Sequence, residues 1–271
     1  VRIRRNSEYI RTMNRYFNVE VKPTIPALDQ HSGDFNAGFI LFNWTEFEIP
    51  KGAARLIGIT AIVRGKDGAD QGNDDISLVF AKSIGNTAPT NLGSVRSSVS
   101  SGGWLNNVIA QFHLDGDAET SAGKLVTAEV YTSSTSTFSS AGVVVEGEPE
   151  SGSSVGYDKL YVAGLVRSVD GTSINFSTSV LARGGTTADG VAVEVPTDKG
   201  SDDDPDADLV FAPGDVIHTL ANQPVGTIKS ISAFDTDHQD LIFEDPIETT
   251  ISDNSELYNI NPIKLILNFE K

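Results

Sequence analysis

The residues with chemistry to offer are four histidines, several aspartate-rich runs, three alternating glutamates and two tryptophans. His113, in Gln111-Phe112-His113-Leu114, and His218, in Val216-Ile217-His218, fall in strand-like segments. An imidazole there is expected to be half-buried and hydrogen-bonded rather than to move protons. The chain contains no His-x-x-x-His and no His-Glu-x-x-His. Serine is abundant in Ser97–Ser101 and Ser133–Ser140, but these are low-complexity loop stretches in which nothing marks one hydroxyl as activated.

The acidic runs look toward hard cations, which take several oxygen ligands on a flexible loop. Asp198–Asp208 alternates Asp202, Asp204, Asp206 and Asp208, yet lacks the central glycine and closing glutamate of an EF-hand. Arg64–Asp75, with Asp67, Asp70, Asn73, Asp74 and Asp75, is a second run of this kind. Both are expected to be solvated loops, and Asp235-Thr236-Asp237-His238-Gln239-Asp240 an exposed hairpin loop. Glu146, Glu148 and Glu150 alternate along an extended segment and share one face. A glycosidase needs two carboxylates facing each other across its substrate, so this trio reads instead as an edge that discourages strand addition. Trp44, between Phe42 and Phe47, is expected in the core; Trp104, after Gly102-Gly103, is placed to stack on a sugar or to plug one end of the fold. No catalytic residue, metal ligand or cofactor is assigned.

Composition narrows the function classes. With no cysteine, the chain has no disulfides, no thiol nucleophile and no cysteine-based metal site. No run approaches the eighteen or so apolar residues of a membrane helix. No apolar stretch follows the basic Val1–Arg5, so synthesis in a reducing cytoplasm is expected. The net charge of −17 is unevenly placed. Residues 1–22 hold Arg2, Arg4, Arg5, Arg11, Arg15 and Lys22 against Glu8 and Glu20, a local +4 that leaves −21 on the rest. Such a body repels nucleic acid and anionic membrane, and neither is an expected partner. The five arginines of the terminus are the expected partner-binding residues, suited to an acidic neighbouring protein.

The elements that must position these groups read as strands almost throughout. Tyr9, Ile10, Met13, Tyr16 and Phe17 fit either one short amphipathic helix or an extended arm running on into Val19-Glu20-Val21. Strand patterns follow at Phe39–Phe42, Thr45–Ile49, Arg55–Val63, Ile76–Ala81, Val108–Leu114, Leu125–Tyr131, Gly142–Glu146, Leu160–Val166 and Thr172–Leu181. Long polar connections between them predict a sandwich with Greek-key or jelly-roll wiring. The composition changes around Gly184–Ala207, and closely spaced short strands from Leu209 to Phe269 read as a small barrel. The expected fold is all-β, a jelly-roll-like β-sandwich followed by a small C-terminal β-barrel. Its expected parts are a basic arm or helix at 1–25, the sandwich at 26–183, an acidic linker at 184–208 and the barrel at 209–271.

Some of these stretches also carry a likeness. Glu46-Phe47-Glu48-Ile49-Pro50-Lys51-Gly52-Ala53-Ala54-Arg55-Leu56-Ile57-Gly58-Ile59-Thr60 resembles the opening strands of a jelly roll in virion structural proteins of tailed bacteriophages, especially marine ones. Leu160-Tyr161-Val162-Ala163-Gly164 and Ser173-Ile174-Asn175-Phe176 look like closing strands of the same domain. Phe211–Ile217 and Val225–Ile231 are similar to small barrels of such particles. The resemblance implies a non-enzymatic capsid decoration or cement protein, with no functional residues to transfer. Its expected place is the virion, made in the host cytoplasm, as a homo-oligomer bound to the major capsid or other virion proteins. A glycan-binding module of a tail fibre or cell-surface protein is the alternative, and a polysaccharide depolymerase comes third.

Overall fold

The structure, a computed structural model, describes residues 16–64, 75–114, 120–121, 125–130, 142–149, 157–167, 173–198, 206–233 and 238–271. Strands make up 52% of it and helix 6%, so the chain is all-β as its alternating apolar pattern requires. The strands are β1 (Tyr16–Val21), β2 (Ile40–Pro50), β3 (Ala54–Arg64), β4 (Ile76–Ala81), β5 (Val108–Leu114), β6 (Thr120–Ser121), β7 (Leu125–Val130), β8 (Val143–Val145) and β9 (Glu148–Pro149). They continue with β10 (Tyr157–Val166), β11 (Val180–Leu181), β12 (Glu194–Asp198), β13 (Val216–Thr219), β14 (Pro224–Ile231), β15 (His238–Phe243), β16 (Glu256–Asn259) and β17 (Ile263–Glu270). Two short helices, α1 (Ala27–His31) and α2 (Ala207–Val210), complete the set with one 3-10 turn at Leu105–Asn107.

Two antiparallel sheets share the larger core. The first runs β1-β17-β3-β7-β6, with β8 also on β3; the second runs β2-β10-β4-β5, with β9 also on β10. The alternation of inward and outward residues is clearest in β17. In β17, Ile263, Leu265, Leu267 and Phe269 are buried, while Lys264, Ile266, Asn268 and Glu270 face outward. In β3 the period slips once, because Asn268 pairs with Gly58 and Phe269 with Leu56. That bulge lets Leu56 and Ile59 both point inward and leaves Ile57 38% exposed. A chain of aromatic contacts crosses the core from Phe17 to Phe269, Phe47, Phe80 and Phe112, with ring centroids 5.2 to 6.5 Å apart. Gly164 interrupts β10 for a steric reason: a Cβ there would lie 2.3 Å from the Phe42 ring.

The second core belongs to a six-stranded sheet, β11-β16-β13-β14-β15-β12, curled around Val195, Phe211, Ile217, Ile228, Leu241, Phe243 and Leu257. Its two end strands meet where Ala182 bridges Thr197 and Arg183 N–H donates to the Pro196 carbonyl at 2.8 Å, so the barrel is nearly closed.

The elements depart from the expected boundaries at three points. Ile263–Phe269, expected to finish the barrel, lies between β1 and β3 in the first sheet. Val180-Leu181, expected in the sandwich, pairs with β16, and Glu194–Asp198, expected in the linker, pairs with β15. The barrel is therefore inserted between β10 and β17 rather than appended after the sandwich. Alternation marks a segment as a strand but says nothing of which sheet it joins. The arm region is outside the described residues up to Asn14 and Arg15, and Tyr16–Val21 continues it as strand β1.

A strand paired on both sides cannot be lost locally. Deleting residues 263–271 should abolish the cooperative transition of the sandwich, whereas a truncation that left it intact would contradict this topology. The milder Phe269→Ala should lower the unfolding free energy by about 3–5 kcal/mol, read from urea denaturation, as for other buried Phe truncations.

Candidate functional site: a covered sheet face and the junction of two cores

β4 is buried on both faces, so something must cover the outside of the second sheet. Residues 82–107 do this. Leu92 packs on Ile40 and Ala163, with Trp44, Trp104 and Leu165 around them. The cover is held by polar contacts to β2. Asn43 Nδ2 donates to the Gly93 carbonyl at 2.8 Å, and Asn43 Oδ1 accepts from Leu92 N–H at 3.1 Å. The backbone of Ile40 exchanges hydrogen bonds with Arg96 and Ser97. The Arg96 guanidinium donates to the carbonyls of Ser32 and Asp34.

Trp44 therefore sits on the outer face, not in the expected core position, and Trp104 meets it edge-on at 6.1 Å and 60°. Both indole N–H groups are satisfied, by the carbonyls of Thr90 and Ser101, which fixes the rings. Half-buried indoles beside Leu105, 62% exposed, form an apolar patch on this face. At the start of the same loop, Gly85 and Asn86 adopt φ of 58° and 60°, and their N–H groups converge on the Glu148 carboxylate at 3.0 and 2.9 Å. Those amides, that of Asn86 first, hold the Glu148 carboxyl below its ordinary range. Glu146 is exposed on the neighbouring strand end, while Glu150 is outside the described residues.

His31, His113 and His218 are hydrogen-bonded, and His238 faces a carboxylate. His113 Nδ1 lies 2.8 Å from Ser77 Oγ, and burial, then Arg167, holds its imidazole below the usual value. His218 Nδ1 lies 3.2 Å from Asn222 Oδ1. His238, expected in a loop, opens β15, 4.0 Å from Asp240; residues 234–237 are outside the described set. His31 joins α1 to the barrel: its Nδ1 is 2.8 Å from Tyr258 Oη and 2.9 Å from Glu256 Oε2. The Tyr258 hydroxyl donates to Glu256 at 2.6 Å, and burial, reinforced by that bond, pushes its pKa up, so it stays a donor.

The remaining polar groups gather where barrel and sandwich meet. Arg64, at the end of β3, pairs with Asp215, which also accepts from Ala212 N–H at 2.8 Å. Burial raises the Asp215 carboxyl and Arg64 opposes it. Gln30 Nε2 donates to the carbonyls of Ile25 and Asn259 at 2.7 and 2.9 Å, tying α1 to β16. Asn261 Nδ2 donates to the Lys22 and Pro23 carbonyls, tying the chain's return path to the end of β1. Apart from Gln30–Ile25 and Ala212–Asp215, none of these pairs has a local sequence signal, because their members lie 151 to 239 residues apart.

Arg2, Arg4, Arg5, Arg11 and Arg15 are outside the described residues. Of the aspartate runs, Asp75 pairs with Arg167 at 3.6 Å and Asp198 with Arg183 at 3.7 Å. Among the described residues no group of three or more His, Asp or Glu side chains is close enough to hold a metal ion. No helix of the described residues is long and apolar enough to cross a membrane. Compared with protein-family models, with curated proteins and with solved structures, the chain matches none of them.

Two outcomes test this account of the covered face. Asn43→Ala leaves the Leu92 amide without its acceptor, at a cost of about 1–3 kcal/mol. It should also shift tryptophan fluorescence to the red as the loop loosens over Trp44 and Trp104. For Glu148, the depressed folded-state pKa means the contact stabilises the turn above the unfolded glutamate pKa and is lost as pH falls through the folded value. The amide NMR shifts of Gly85 and Asn86 should titrate together below the usual glutamate range, and should stay flat in Glu148→Gln.

Proposed function

We propose that the chain is a structural protein of a tailed-phage particle, a capsid decoration or cement protein built as a jelly roll with a small barrel set into it. The observation that carries the reading is the strand order. Set aside the short β6, β8 and β9, and β1-β17-β3-β7 faces β2-β10-β4-β5. Following the chain, β1, β2, β3 and β4 alternate between the sheets; β5 stays beside β4; β7, β10 and β17 alternate again. That alternation is the one a jelly roll would give, an architecture of viral capsid and lectin domains, and it supports this reading. A fold alone does not fix a function. The resemblance to virion proteins and the charge distribution lend the rest of the support.

On this reading the acidic body faces solvent and other copies, and Arg2, Arg4, Arg5, Arg11 and Arg15 bind the major capsid or another virion protein. The segment joins the body at β1, an edge strand of the first sheet, whose Tyr16 is 67% exposed. Exposed charge contacts of this kind are screened within about 8–10 Å at physiological salt. The Trp44–Trp104 patch favours a second reading, a glycan-binding module of a tail fibre or cell-surface protein, since indoles stack on sugar rings.

Binding to particles that lack the protein separates the two. Removing residues 1–15 should leave the melting temperature within about 2–4 °C of the full chain. It should weaken binding to the particles markedly, and added salt should weaken binding of the full chain. Unchanged, salt-insensitive binding by the truncated protein would remove the terminus from docking. Failure of the full chain to bind any particle protein, together with Trp104-dependent glycan binding, would replace the first reading with the second.

A further inference from the structure

The return of the chain from barrel to sandwich creates a cleft of about 220 Å³, lined by Lys22, Ile62, Arg64, Asp215, Asn261 and Lys264 among others. Its charge is opposite to that of the molecule. Three cations and one carboxylate line it, in a chain whose net charge is −17. The register explains how the cations come together. Val21 pairs with Leu265, so Lys22, the next residue, stands directly across from Lys264 on the outer face of the first sheet. Like charges in that position repel. A single carboxylate serves both: Glu20, two pairs further along and so on the same face, holds Lys22 at 3.3 Å and also pairs with Lys264. Arg64 enters from β3 and is paired with the buried Asp215. Two ammonium groups thus share one carboxylate that does not itself line the cleft, and each retains further N–H donors, since an ammonium carries three.

We propose that this cleft is a binding site for a tetrahedral oxyanion, a phosphate or sulfate group held by Lys22 and Lys264. The site is independent of the phage reading. An anion there relieves the cross-strand repulsion, and it bridges Lys22, just past the end of β1, to β17, beneath the Pro213-Gly214-Asp215 segment of the barrel. The cleft's size admits either a free oxyanion or one carried on a small organic group such as a sugar.

The test is direct titration by calorimetry at pH 7 and matched ionic strength, with inorganic phosphate in one arm and glucose 6-phosphate in the other. Calorimetry is preferred to melting because sulfate and phosphate stabilise most proteins by exclusion from the surface. Saturable binding should weaken about tenfold in Lys22→Gln and in Lys264→Gln, the loss of one charge-assisted contact. It should be unchanged in Lys229→Gln on exposed β14, and should tighten in Glu20→Gln, which frees both ammoniums from their competitor. A merely structural cluster would not give that last result. Binding of glucose 6-phosphate alone would assign the site to a phosphorylated organic group; binding of both would assign it to the oxyanion itself. No saturable binding in either arm, or equal affinity in the Lys22, Lys264 and Lys229 variants, would overturn the proposal.

Discussion

Everything in the larger unit waits on β17. It lies between β1 and β3, hydrogen-bonded on both sides, and supplies Ile263, Leu265, Leu267 and Phe269 to the shared core. Without it β1 has no partner strand, and the aromatic chain from Phe17 to Phe112 loses the ring that links its two halves. Yet its partners on β1 lie more than two hundred residues earlier, with Tyr16 and Glu270 separated by 254. The closure entropy of so long a loop grows only logarithmically, but it must be met before any pairing on β1 rewards it. The expected course is slow folding in which non-local strand pairing comes late. The barrel needs no such wait, since all its strands come from residues 180–259.

The insertion places a demanding requirement on the junction, because two cores must be held in one orientation by few contacts. Arg64 and Asp215 meet this with a largely buried ion pair, for which desolvation of both charges offsets much of the attraction. Such a pair adds little net stability over apolar residues of the same shape, but a misplaced barrel would leave two buried charges unmatched. The cost of the wrong arrangement exceeds the gain of the right one. Gln30 acts in the same way on neutral groups, its amide satisfying two carbonyls that would otherwise be buried without a donor, and Asn261 adds a more exposed tie to the end of β1.

The sequence showed which segments are strands far better than how they are wired. β4 and β17 announced themselves by apolar runs and strict alternation. The affiliation of β11, β12 and β17 was not legible, since a two-residue period is the same for every sheet. Trp44 was misplaced for a related reason. Phe42 and Trp44 are both apolar and share a parity, but the irregular pairing of β2 with β10 at Val162–Leu165 breaks the alternation between them. Phe42 turns into the core and Trp44 lies under the loop. The junction cluster could not be seen at all, because its cations and carboxylates become neighbours only through pairings across the whole chain. Asp198 and Asp75, by contrast, read as loop acids and are found beside arginines near strand ends.

The pairing of Tyr16 with Glu270 brings the two outer ends of β1 and β17 to the same corner of the first sheet. A tension applied between those two residues would load the hydrogen bonds of the ladder one after another, like opening a zipper, and would meet little resistance. A tension applied at Tyr16 alone, with the body held elsewhere, pulls β1 along its own axis and loads all six register pairs together. The same strand is therefore mechanically weak in one direction of pulling and strong in another. A particle-bound protein tethered through the residues before Tyr16 would be loaded in the strong direction.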